Sequence, residues 1–99
     1  MRVLWYDQAE SDLDRIFEDL AARDPLVALR ISESIRQRVA LLAGQPGIGR
    51  IGRVKETREL VIPRTPYIVA YAIDHQLDVV IVLRVLHGAQ LWTKDFGQD

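Results

Sequence analysis

The sequence has no cysteine, which excludes both a disulfide framework and a thiolate metal site. That absence fits a reducing compartment. Histidine is scarce too. His75 and His87 are the only two, and they do not stand at metal-ligand spacing, so neither a metal nor an organic cofactor is expected. Long apolar runs are missing as well. No purely aliphatic run is longer than Val79–Leu83, far short of the roughly 20 residues that cross a bilayer. The opening stretch, Met1 to Asp7, lacks the apolar length of a signal peptide. Nor is there an excess of one charge: the formal net charge is −1, which argues neither for nor against a nucleic-acid partner. These absences predict a soluble cytoplasmic protein with no membrane association.

What is present is an ordinary globular composition, 48% hydrophobic and 27% charged in 99 residues. A chain of this length is expected to form one domain, 1–99, burying roughly 60–70% of its unfolded surface. Its charges are segregated. Asp7, Glu10, Asp12, Asp14, Glu18, Asp19 and Asp24 crowd the first quarter, whereas Arg50, Arg53, Lys55, Arg58 and Arg64 crowd the middle. The pattern predicts one acidic and one basic surface. The plainer reading is two solvated faces.

Hydrophobic periodicity gives the order of elements. Val3-Leu4-Trp5-Tyr6 is a short β-prone run. Asp7 follows in an N-cap position, with Glu10 as its capping-box partner. Leu13, Ile16, Phe17 and Leu20 then recur at helical spacing, predicting a helix from about Gln8 to Ala22. Asp24-Pro25 restarts a helix, with Asp as cap and Pro at the first helical position. Its face is marked by Ala28, Ile31, Ile35, Val39 and Leu42, and Gly44 closes it. The short connection predicts an antiparallel helical hairpin. Gln45 to Arg50 reads as loop. Strands are expected at Arg58–Ile62, stopped by Pro63, at Tyr67–Ile73, and at Val79–Leu86, the last two joined by the turn Asp74–Asp78. The tail from Gly88 holds Trp92 and Phe96 without a clear period. The fold class is α+β: an N-terminal strand and a helical hairpin packed on a small antiparallel β-sheet.

That order, with Gly49-Arg50, Gly52-Arg53-Val54, Thr57-Arg58-Glu59-Leu60-Val61, Pro66-Tyr67-Ile68-Val69-Ala70-Tyr71 and Arg84-Val85-Leu86-His87-Gly88-Ala89-Gln90-Leu91-Trp92, resembles the RelE/ParE superfamily of toxins from type II toxin–antitoxin modules. The resemblance covers essentially the whole chain. It implies a growth-inhibiting toxin with a RelE/ParE-like fold, neutralised by a cognate antitoxin whose C-terminal segment wraps it. It implies two possible targets. RelE-like members are ribosome-dependent endoribonucleases acting on mRNA; ParE-like members inhibit DNA gyrase and are not known as nucleases. A decayed toxin serving only as an interaction module is a third reading.

Cleaving RNA beside a 2′-hydroxyl needs a base, an acid and cations for the phosphorane charge. The nuclease reading assigns His87 as acid, Glu59 (or Glu56) as base, and Arg58 and Arg84 as phosphate holders. Two departures weigh against it. Tyr67 stands about where nuclease members have an arginine, and Gly88 follows His87 where some have a tyrosine. The ParE-like reading is therefore favoured, with Arg50, Arg53, Lys55, Arg58 and Tyr67 as the surface for target or antitoxin. An antitoxin is expected to be acidic where it crosses those cations. Structural roles compete at several positions: His87 ending a strand, His75 solvated in a turn, Arg84 paired with Glu59, Tyr67 and Tyr71 packing at the core edge, Trp5 and Trp92 in the core or at a sheet edge. The glycines at 47, 49 and 52 are expected to keep the basic loop conformationally open.

Overall fold

A computed structural model describes residues 1–88; Trp92 and Phe96 lie outside the described residues. The elements run β1 (Arg2–Trp5), α1 (Asp7–Ala21), α2 (Pro25–Ala40), a 3₁₀ turn (Leu41–Ala43), β2 (Arg50–Ile51), β3 (Arg58–Val61), β4 (Tyr67–Asp74) and β5 (Val79–His87). The five strands form one sheet in the order β1-β5-β4-β3-β2. The expected α+β architecture, a helical hairpin on a small sheet, is what the chain adopts.

Three details differ from the sequence expectation. First, β1 lies parallel to β5, with Val3 opposite Val80, so the sheet is mixed and not wholly antiparallel. The connection from β1 to β5 runs through the hairpin and then β2 to β4, which supplies the long crossover that parallel pairing requires. Second, Arg50–Ile51, read as loop, is a two-residue edge strand: Arg50 pairs Glu59 and Ile51 pairs Arg58. Third, Asp7 is not the N-cap of α1. Tyr6 occupies that position without a side-chain cap, and Asp7 and Glu10 fall in the first helical turn. There their charges still favour the helix dipole. Glu10 reaches instead to Arg36 on α2 at 3.3 Å, and Arg36 also stacks over the Trp5 ring at 5.1 Å. Asp24 does cap α2, accepting from the N–H groups of Leu26 and Val27.

The main core lies between the hairpin and one face of the sheet. Ala9 and Leu13 of α1, Ile35 and Val39 of α2, and Leu42 of the 3₁₀ turn meet Leu60, Ile62, Val69, Tyr71, Val80, Val82 and Val85. Trp5 packs against this cluster as a partly buried residue. Between Ala70 and Tyr71 the β4–β5 register slips by one residue, because Ala70 pairs Arg84 whereas Tyr71 pairs Val82. This bulge re-aims Arg84. No helix among the described residues is long and apolar enough to cross a membrane.

Candidate functional site

The basic residues gather at the β2–β3 edge around one buried carboxylate. Glu59 is 1% exposed. One of its oxygens accepts from Arg50 Nε at 3.3 Å and Nη2 at 3.0 Å. The other accepts from the Arg53 backbone N–H at 3.0 Å and Arg53 Nε at 3.1 Å. The two arginine side chains remain 55% and 41% exposed. Lys55 and Glu56 sit exposed on the turn that follows.

Glycine makes this edge compact, not loose. A Cβ on Gly49 would stand 2.6 Å from the Tyr71 hydroxyl, and one on Gly52 would stand 2.2 Å from Thr57 Oγ1. The Tyr71 hydroxyl accepts from the Gly49 N–H at 2.8 Å and donates to the Pro46 carbonyl at 2.7 Å. Arg58 donates to the carbonyls of Gly49 at 2.7 Å and Gly47 at 3.3 Å. The expectation of a conformationally open loop is thus corrected: the side chains of Tyr71 and Arg58 fix it, and glycine is needed at 49 and 52 because neighbouring atoms leave no room. Burial pushes the Tyr71 phenol above its ordinary pKa of 10.0, with the Gly49 N–H and the Arg58 charge partly opposing.

The other candidates lie elsewhere. His87 is exposed at the end of β5, opposite Tyr67, and the two rings meet edge-on with centroids 5.9 Å apart. They line a cleft of about 230 Å³ with Asp12, Arg15, Ile16, Asp19 and Val85. Arg84 turns toward α1. Its Nε and Nη2 donate to Asp12 at 2.7 and 3.1 Å, and the Val85 N–H donates to the same carboxylate at 2.9 Å. The suggested Arg84–Glu59 pair is therefore corrected: Asp12 binds Arg84, and Glu59 is taken by Arg50 and Arg53. Asp12 was missed as a partner because 72 residues separate it from Arg84. Its signal was local: it stands in the apolar stripe Ala9, Leu13, Ile16, where an acid needs a partner. Tyr71, read as core-edge packing, is wholly buried, whereas Tyr67 is half-buried. His75 is exposed in the β4–β5 turn.

The nuclease candidates are thereby dispersed. Arg58 pairs with Tyr71 and His87 with Tyr67, so they are separated by four positions of β4, roughly 13 Å along the strand, and lie on opposite sides of it. Two acids, Asp12 and Asp19, line the His87 cleft. No group of three or more His, Asp or Glu side chains among the described residues could hold a metal ion.

A helical hairpin packed on a five-stranded, mostly antiparallel sheet is the fold this chain shares with solved toxins of the RelE/ParE superfamily. A solved chromosomal ParDE toxin–antitoxin system from P. aeruginosa aligns with a TM-score of 0.78 at 26% identity, covering 88% of this chain and 95% of that one. The RelBE2 toxin–antitoxin complex from Mycobacterium tuberculosis shares the fold at a TM-score of 0.64 and 24% identity, covering 87% of this chain and 95% of that one. A Sinorhizobium fredii (strain NBRC 101917 / NGR234) protein, named as a candidate toxin, Y4kP, is 38% identical over 91 residues, 92% of each chain. The profile of the ParE toxin of the type II toxin–antitoxin system parDE matches residues 3–92. The chain belongs to that ParE toxin family and is the toxin of a type II module.

Proposed function

We propose that this toxin arrests growth by acting on DNA gyrase in the cytoplasm, and that it does so without cutting RNA. The carrying observation is the dispersal of the groups that a ribonuclease must converge. His87 shares its cleft with Asp12 and Asp19, and the arginine lining that cleft, Arg15, is paired with Asp12 at 3.0 Å. Arg84 spends its guanidinium on Asp12. Glu59 is buried, and both its oxygens are taken by Arg50 and Arg53. Removing one preorganised donor already costs on the order of 10²–10³ in rate in hydrolytic sites; here several are engaged elsewhere.

The partner in the resting state is the cognate antitoxin. A groove of about 330 Å³ between the end of α2 and the β3–β4 turn, lined by Gln37, Arg38, Leu41, Ile62, Pro63 and Arg64, offers it apolar walls and two cations. An acidic, partly apolar segment suits that chemistry.

The assay is purified toxin with gyrase, ATP and relaxed or supercoiled plasmid. Loss of supercoiling or accumulation of cleaved DNA is the expected result. Unaffected gyrase, together with cuts in ribosome-bound message that vanish in His87→Ala, would overturn the reading in favour of the nuclease.

A further inference from the structure

We propose that the Arg50–Arg53 pair clamped on Glu59, together with Lys55, is a binding site for the phosphodiester backbone of duplex DNA. The proposal deepens the gyrase reading, because gyrase acts on DNA, but the site is argued from its own chemistry.

A guanidinium carries five N–H donors in a fixed fork. Glu59 occupies Nε and Nη2 of Arg50 and Nε of Arg53. Arg50 Nη1 and both Nη groups of Arg53 have no acceptor among the described residues, while both side chains are about half exposed. The carboxylate thus orients two cations and leaves their outer donor edges facing water. Guanidiniums so oriented lose little further entropy when they take up an anion, and their geometry matches phosphate oxygens.

The surroundings favour a polyanion. Residues 50–56 hold three cations, Arg50, Arg53 and Lys55, against one carboxylate, Glu56, and Glu59 is hidden beneath the arginines. Gly49 beside Arg50 and Gly52 beside Arg53 add no side chain of their own. Ile51, the exposed apolar residue of β2, pairs with Arg58, whereas Arg50 pairs with Glu59. Alternation puts it on the opposite face, off the patch. The acidic α1 packs over β5, three strand spacings or roughly 14 Å from β2. This separation of charge turns the β2 edge toward DNA and α1 away. An antitoxin segment laid over the same cations would exclude DNA.

The experiment is fluorescence anisotropy of a short labelled duplex of mixed sequence with purified toxin, without gyrase, across a salt series. Wild type is expected to bind with a clear salt dependence. Arg53→Gln and Lys55→Gln are each expected to lower the log–log salt slope by about one. Glu59→Gln decides whether orientation matters, since it adds one net positive charge while releasing the clamp. The site as described predicts about fivefold weaker binding for Glu59→Gln; tighter binding would mean simple charge attraction and overturn the proposal. Duplex that never binds, even at low salt, overturns it too, as does binding only of an acidic peptide such as polyglutamate. Circular dichroism confirms that each variant is folded, and Lys55→Gln touches none of the buried contacts. The two readings fail separately: DNA binding with untouched gyrase leaves this site standing, and gyrase inhibition without DNA binding leaves only the target.

Discussion

Asp12 and Glu59 are both buried carboxylates, each 1% exposed, and each binds guanidinium groups and one backbone N–H. They differ in where the partner charge ends. The Arg84 side chain is 16% exposed, so most of the Asp12 pair lies inside, tying α1 to the β5 bulge. The partners of Glu59 reach water. An identical pairing chemistry thus builds a structural bolt at one place and a presented pair of cations at the other.

The largest effect expected from breaking that comparison is at Asp12. Asp12→Asn leaves Arg84 charged and poorly matched inside the fold. Removal of one partner from a buried pair typically costs about 3–5 kcal/mol. Urea denaturation followed by circular dichroism measures it. The double change Asp12→Leu with Arg84→Met is expected to recover most of the loss, since the one charge that then lacks its partner, Arg15, is 61% exposed and can hydrate. A single-variant loss no larger than that of Glu59→Gln would break the distinction drawn here.

Next in size is the packing that makes the basic edge rigid. Gly52→Ala places a Cβ 2.2 Å from Thr57 Oγ1 and 2.9 Å from the Thr57 carbonyl oxygen. The backbone oxygen cannot move away without breaking the hydrogen bond it accepts from the Gly52 N–H. A cost of about 1–3 kcal/mol is expected, with weaker toxicity in a growth assay because Arg53 is displaced. Full stability and full toxicity in this variant would show that the edge tolerates movement.

Tyr71→Phe tests the same edge from beneath. It strips a partner from the Gly49 N–H and the Pro46 carbonyl, for about 1–3 kcal/mol at neutral pH. The alkaline limb carries a sign. The folded-state pKa of Tyr71 lies above its usual value of 10.0, so its contribution is complete below that value and is lost as pH rises toward the folded pKa. Wild type should therefore lose stability above pH 10 more steeply than Tyr71→Phe. Parallel melting profiles in the two proteins would remove the buried phenol from the account.

Much of this fold was legible because local signals agreed with one another. Asp24-Pro25 marked the start of α2, the two apolar stripes marked the hairpin, and the β-branched run Val79–Leu83 marked a central strand. Other features were illegible because they join distant positions. Nothing local in Arg2–Trp5 says that it pairs parallel with β5. The two residues of β2 are too few to show a period, and Gly52 beside them reads as a breaker. Among the site residues, Arg50 and Arg53 stood out as charges, but their common anchor did not. The alternation that put Glu59 among strand residues left its partner undecided, and Arg84 was the one suggested. Asp12 carried a better clue, an acid inside an apolar stripe, which the capping pattern of Asp7 and Glu10 obscured.

The smallest stability effect is expected at Glu59, and it sharpens the comparison most. Glu59→Gln removes the same charge as Asp12→Asn at the same depth of burial. Its partners, however, can turn outward and hydrate, so the pair is discounted as a partly exposed one, worth about 1 kcal/mol. The Gln side-chain oxygen can still accept from the Arg53 N–H. Stability should barely move, whereas toxicity and DNA binding fall because Arg50 and Arg53 lose their shared orientation. Urea midpoints and growth arrest measured on one preparation separate the two effects. A stable variant of undiminished toxicity would make the clamp incidental. A variant as unstable as Asp12→Asn would make Glu59 a second bolt, and the arginines above it its ties.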